Sequence, residues 1–197
     1  LAIHAQSLKD PAAAAFVRAA LDRAGAAIVL NTTAFALGSA TGVGTPARTP
    51  FDGLNRPVLQ VVLSGASEAA WAGGHRGLGP ADLAMHVSLP EIDGRVLTRA
   101  VAFKAEARWD PATECPILVQ APKPDRVDFV AALAAAWVRL GRTPPDRRRV
   151  LLVVANYPNR DGRIGNGVGL DTPESVARIL GALTAAGYDT GDAPTDG

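Results

Sequence analysis

Apolar residues in this chain come in short runs between polar, Gly- and Pro-rich connections, and the spacing of those runs predicts the elements. Residues 1–5, Leu-Ala-Ile-His-Ala, read as a short strand. Asp10 before Pro11 is a helix start: a capping carboxylate precedes a residue whose missing N–H costs nothing at the first helical position. Phe16, Val17, Ala20 and Leu21 then share one face, and Gly25 offers a left-handed stop. Residues 26–30 follow as a buried strand. Residues 1–30 therefore predict a β-α-β unit with parallel strands and a right-handed crossover. Residues 57–63, Pro-Val-Leu-Gln-Val-Val-Leu, are the clearest buried strand of the first half and are expected beside 26–30, in parallel.

Beyond a long loop at 34–49, one helical turn is predicted near 51–54 and a short helix at 68–72, with another beginning at Pro80. Residues 85–95 read as an extended approach and turn, 96–107 as a pair of strand pieces, and 126–140 as an amphipathic helix closed by Gly141. Gly141-Arg-Thr-Pro-Pro-Asp146 is a linker-like turn. It divides an α/β portion, 1–143, from the start of a second α/β unit, 144–197. In the second unit, 150–155 predict a strand and 156–171 a Gly-rich loop. A helix capped by Asp171 or Thr172 reaches about residue 186 before Gly187, and 188–191 predict a further strand. The fold class is α/β, with parallel-sheet (Rossmann/flavodoxin-like) layers. Leu1 opens straight into a strand-like run with no basic n-region and no start methionine, as expected of a chain cut out of something longer.

Composition changes this picture little. The chain has 197 residues, 48% apolar and 20% charged, the balance of an ordinary globular protein. Its net charge of +1 offers no electrostatic footprint for nucleic acid, and the run Arg147-Arg-Arg149 reads as a solvated cap on the strand that follows. The single cysteine, Cys115, precludes an intrachain disulfide and fits a reducing, cytoplasmic compartment, and it reads as structural and not as a nucleophile. Apolar runs are too short to span a bilayer, and no Cys/His spacing of the structural zinc type is present.

Two polar segments concentrate the candidate chemistry. Gly165-Asn-Gly-Val-Gly169 is neither the dinucleotide fingerprint nor a P-loop, and Asp161 and Asp171 would repel a phosphate. That leaves a plain structural loop or a loop over another ligand. In Leu89-Pro-Glu-Ile-Asp-Gly-Arg95, Pro90 fixes the backbone before Glu91, and an extended chain would put Glu91 and Asp93 on one side. His86 would join them only if the chain bends at Pro90. The bland alternative is an exposed turn with Asp93-Gly94 as turn residues.

Phe51-Asp-Gly-Leu-Asn-Arg-Pro-Val-Leu-Gln60, Gly77-Leu-Gly-Pro-Ala-Asp-Leu-Ala-Met-His86, the Leu89-to-Arg95 motif and the whole 156–175 segment resemble the CobN/magnesium chelatase H-subunit family, and within it the CobN branch. The resemblance runs over nearly the whole chain but covers only a piece of a family whose members are several times longer. It implies a fragment of the large, tetrapyrrole- and metal-binding subunit of an ATP-dependent cobaltochelatase. That enzyme inserts Co²⁺ into hydrogenobyrinic acid a,c-diamide in aerobic cobalamin biosynthesis. ATP would be hydrolysed by CobS- and CobT-type partner subunits and not bound here, which suits the lack of a Walker motif. The family's carboxylate after Leu-Pro falls on Glu91, as base and metal guide, with His86 as a second metal ligand. Asp93, Asn156, Asn159, Arg160, Arg163 and Asn166 are implied as substrate-binding, the 156–171 loop lining the same cleft as 89–94. The isolated fragment is expected to be inactive. Two alternatives stay open, a magnesium chelatase H subunit and a non-catalytic ligand-binding α/β scaffold.

Overall fold

The computed structural model describes residues 1–38, 49–155, 165, 167 and 169–194. The chain divides into two compact units, Leu1–Val138 and Arg139–Gly197.

In the first unit, helix α1 (Pro11–Arg23) starts as its sequence predicts, the Asp10 carboxylate accepting the Ala13 N–H at 2.8 Å. It buries Val17, Ala20 and Leu21, and Val17 and Leu21 pack with Phe51 and Leu54. Phe16 departs from the expected face and is 58% exposed. Residues 1–5 form no strand, contrary to the β-α-β unit expected there. Ile3 and Ala5 lie against the α1 cluster through side-chain contact alone.

Strands β1 (Val29–Asn31), β2 (Val58–Leu63) and β3 (Val96–Asp110) are parallel neighbours, with Val29 opposite Val58 and Leu59 opposite Val96. The adjacency expected for the first two strands is therefore present. β2 is the centre of the core: Leu59 and Val62 are fully buried. Val61 packs with Val101 and Val130 on one face, and Val62 with Ala100, Phe103 and Trp71 on the other. Coverage of both faces is what makes this strand an almost unbroken apolar run.

β3 is one long strand where two pieces were expected. Its first half pairs with β2, and β4 (Cys115–Pro122) returns antiparallel along its second half, from Ala102 opposite Pro122 to Asp110 opposite Cys115. The sheet order is β1-β2-β3-β4, a mixed α/β arrangement, mostly parallel. Helix α2 (Glu68–Ala72), capped by Ser67, follows β2. Residues 80–92 are helical, not extended: α3 (Pro80–Leu83), a π-helical turn at Ala84–Ser88 and α4 (Leu89–Ile92) run into one another. Helix α5 (Pro124–Arg142) buries Val130 and Ala134.

In the second unit, helix α6 (Thr172–Ala185) takes Asp171 as its cap, the carboxylate accepting the Glu174 N–H at 3.1 Å. The strand expected after Arg147-Arg-Arg149 is absent among the described residues, and Arg148 is not a solvated cap: its guanidinium donates to the Thr143 carbonyl at 2.7 Å and the Tyr188 hydroxyl at 2.9 Å. Residues 150–155 and 188–191 carry no strand among the described residues. A strand needs a neighbour to take its backbone hydrogen bonds, and the described residues of this unit supply none. Leu151 and Val153 are 86% and 80% exposed, while Leu152 and Val154 are each 44% exposed, an alternation that belongs to extended backbone.

Candidate functional site

The segment 80–95 carries the candidate chemistry, and its shape follows from one residue. In an α-helix the N–H of residue 90 would bond the carbonyl of residue 86, and Pro90 has no N–H to give. The helix accommodates this with the π turn just before it, closed by the Leu89 N–H on the Ala84 carbonyl. Gly94, at φ 69°, then stops the helix in the left-handed region that a side chain disfavours. Its N–H bonds the Glu91 carbonyl at 2.9 Å.

This geometry separates the two carboxylates that an extended chain would have aligned. Glu91, in the first turn of α4, is exposed, and among the described residues its carboxylate has no hydrogen bond or ion pair. Asp93 turns inward. Its carboxylate accepts the N–H groups of Leu37 at 2.7 Å and Gly38 at 3.0 Å and pairs with Arg95. Its partners among the described residues are groups of this chain, and through them Asp93 acts as a clamp on the loop after β1.

Arg95 continues inward, donating to Gln60 Oε1 at 3.0 Å and to the Thr33 carbonyl at 3.2 Å. Asn31 donates to Gln60 Oε1 at 2.8 Å, and Gln60 Nε2 donates to the Thr33 carbonyl at 3.0 Å. Asn31, Gln60 and Arg95 are all buried. Burial pulls the Arg95 pKa down from its ordinary value, and the Asp93 charge and hydrogen bond oppose that. The network fixes residues 31–38, which leave the carboxyl end of β1, the edge of parallel sheets where ligands collect. One product is a strained residue: Phe35 sits at φ 67° with its N–H on the Met85 carbonyl at 2.8 Å, and it is 52% exposed. A bulky side chain in that region costs about 1–2 kcal/mol.

His86 lies in the middle of the π turn, half-buried, and its Nδ1 is buried without a hydrogen-bond partner. Burial holds its pKa below the ordinary imidazole value, with the nearby Asp82 charge acting the other way. Asp82 is itself buried, accepting from the Ser64 hydroxyl at 2.6 Å and the Gly65 N–H at 2.9 Å. It ties the start of the segment to the end of β2, as Asp93 ties its end to the loop after β1. The result is an imidazole that burial favours in its neutral form and a carboxylate with no partner among the described residues, on one short helical segment anchored at both ends. Among the described residues no three His, Cys, Asp or Glu side chains gather as an ion site.

Sequence reasoning missed Asp82, Arg95 and Phe35, and passed over Gln60. The last had a legible signal, a lone amide inside an apolar strand, since a buried polar group demands partners. Asn156, Asn159, Arg160, Arg163 and Asn166 lie outside the described residues, and so does the cleft expected around them. Cys115 is exposed, and no helix among the described residues is long and apolar enough to cross a membrane. A cavity of about 440 Å³ lies beside β1, walled by Ile3, Val17, Leu21, Val29 and Phe51. Its walls are mostly apolar, with Asn31, Thr32 and Thr33 at the end of β1, and among the described residues neither His86 nor Glu91 lines it.

The family model described as CobN/Magnesium Chelatase matches residues 1–197. The chain is 44% identical over 197 residues to the aerobic cobaltochelatase subunit CobN of Sinorhizobium sp and 45% identical over 197 residues to that of Pseudomonas aeruginosa. All of this chain is matched in both cases, but it spans only 15% and 16% of the length of those subunits. Its fold resembles the catalytic subunit of cobaltochelatase from Mycobacterium tuberculosis with a TM-score of 0.75 and 30% identity, over 95% of this chain and 15% of that one.

Proposed function

Because this chain belongs to the CobN/magnesium chelatase family along its whole length, we propose that it is part of the large subunit of a cobaltochelatase. The activity is ATP-dependent insertion of Co²⁺ into a corrin-ring precursor, hydrogenobyrinic acid a,c-diamide. A single geometric feature carries the assignment of roles: Glu91 is exposed and has no partner among the described residues, while Asp93, two residues on, is locked inward. The segment thus offers one carboxylate to a ligand and spends the other on holding its own shape.

Insertion requires that a divalent ion shed water, that ring N–H protons leave, and that ring nitrogens take the ion. Glu91 accepts a ring proton, and a carboxylate also guides the incoming cation. His86 contributes the neutral imidazole that a metal requires, the form its burial favours. Imidazole suits Co²⁺ better than the oxygen-preferring Mg²⁺, which favours the cobalt branch, as does the identity with the two cobaltochelatase subunits. Asn156, Asn159, Arg160, Arg163 and Asn166 are proposed to hold the polar groups at the ring's edge. CobS- and CobT-type partners hydrolyse the ATP, in the cytoplasm.

The test is reconstitution. The full-length subunit, its two ATPase partners, ATP and the ring should incorporate Co²⁺, followed by the ring's absorbance. Preference for Mg²⁺ would overturn the metal assignment, and failure to bind any tetrapyrrole would overturn the reading as a whole.

A further inference from the structure

We propose that Phe35 is a contact for the conjugated face of the macrocycle, presented to it by the loop that Asp93 clamps; this rests on the chelatase reading above. Three features converge on the residue. Its backbone is in the left-handed region at φ 67°, where a bulky side chain is rarely found. The residue is 52% exposed, and among the described residues it belongs to none of the buried apolar clusters. Its position is nonetheless tightly held. The Phe35 N–H bonds the carbonyl of Met85, the residue before His86, and Leu37 and Gly38 bond the carboxylate of Asp93, two residues past Glu91.

A loop that keeps an aromatic ring in solvent at the cost of backbone strain is built for something outside the fold. Both ends of the His86–Glu91 segment hold that loop, so the ring is presented in a set relation to the groups proposed for proton and metal transfer. A phenyl face has no charge and no hydrogen-bond donor. What it recognises is another apolar or conjugated face, by stacking. Among the reactants, the metal ion offers no such surface; the adenine of ATP does, but the nucleotide is assigned above to the partner subunits, which leaves the macrocycle.

The experiment titrates the full-length subunit with hydrogenobyrinic acid a,c-diamide and follows the ring's absorbance, for wild type, Phe35→Tyr, Phe35→Ala and Phe35→Gly. Phe35→Tyr should bind as wild type. Phe35→Ala should weaken ring binding by about 10-fold, the scale of losing one stacked aromatic. Phe35→Gly relieves the strained backbone yet removes the ring. It should therefore lose affinity like Phe35→Ala while its thermal stability is equal to or above that of wild type, a combination that a purely structural Phe35 would not produce. In turnover, KM for the ring should rise with kcat little changed, and KM for Co²⁺ should stay put. If wild type binds the ring and Phe35→Ala and Phe35→Gly bind it equally well, Phe35 is no contact and only this proposal falls. If wild type binds no tetrapyrrole, the chelatase reading falls and takes the proposal with it.

Discussion

Arg95 Nη2 and Asp93 Oδ2 stand 2.7 Å apart with both side chains 0% exposed, a buried ion pair two residues from an exposed carboxylate. Removing one member leaves a buried charge with no counterpart. Asp93→Ala also strands the amides of Leu37 and Gly38. Unfolding in urea should show a loss of about 3–5 kcal/mol for Asp93→Ala. The double variant Asp93→Leu/Arg95→Met should be much closer to wild type than the sum of its parts. Additive losses would mean that the pair is not coupled.

Glu91→Gln keeps the size of the side chain and removes its charge and its basic oxygen. In the reconstituted enzyme, cobalt insertion should fall by about 10²-fold or more, as for loss of a general base. Ring affinity should barely move. Stability should stay within about 0.5 kcal/mol, because the side chain is exposed and has no partner among the described residues. Near-normal insertion would remove Glu91 from the chemistry.

His86 should make the chain sensitive to acid. Its folded pKa lies below its ordinary value of about 6.5, so the unfolded chain takes up the proton first. Its contribution to stability therefore falls as pH drops below about 6.5 and levels off once the folded state is protonated too. In denaturant melts from pH 7.5 to 5, wild type should lose stability relative to His86→Gln. A difference between the two that stays constant across that range would contradict the buried, neutral imidazole.

Gly165 is needed for two reasons at once. Its φ is 68°, and a methyl group on its α-carbon would lie 3.1 Å from Val154 Cγ1 and 3.2 Å from Thr172 Cγ2. Gly165→Ala should cost about 1–3 kcal/mol, with Gly165→Ser no better, read as a lower melting temperature. Full stability of Gly165→Ala would show that the close approach to Val154 and Thr172 yields without cost.

Local chemistry made the helix ends readable. Asp10 with Pro11, Ser67, and Asp171 before Thr172-Pro173 sit where the cap and first-turn rules put them. Segment 85–95 was misread as extended because Pro90 looks like a break. Whether a proline ends a helix or is absorbed by a wider turn depends on what the neighbouring residues pack against, and Pro90 is buried. The partners of the site were hidden for a related reason. Asp93 and Leu37 are 56 residues apart, and Arg95 and Gln60 are 35 apart. No local pattern links them.

The sequence by itself determined the parallel adjacency of β1 and β2, the helix caps and the family, because each rests on periodicity, capping chemistry or a motif carried within a few residues. It also singled out Glu91. Only the tertiary structure decided which carboxylate of the Leu-Pro-Glu-Ile-Asp-Gly motif faces outward. It also decided that 1–5 and 150–155, apolar enough for strands, form none among the described residues. A strand exists only where another backbone stands beside it to exchange hydrogen bonds. A carboxylate is free only when no buried cation or loop amide has claimed it. Both conditions are set by residues far away along the chain.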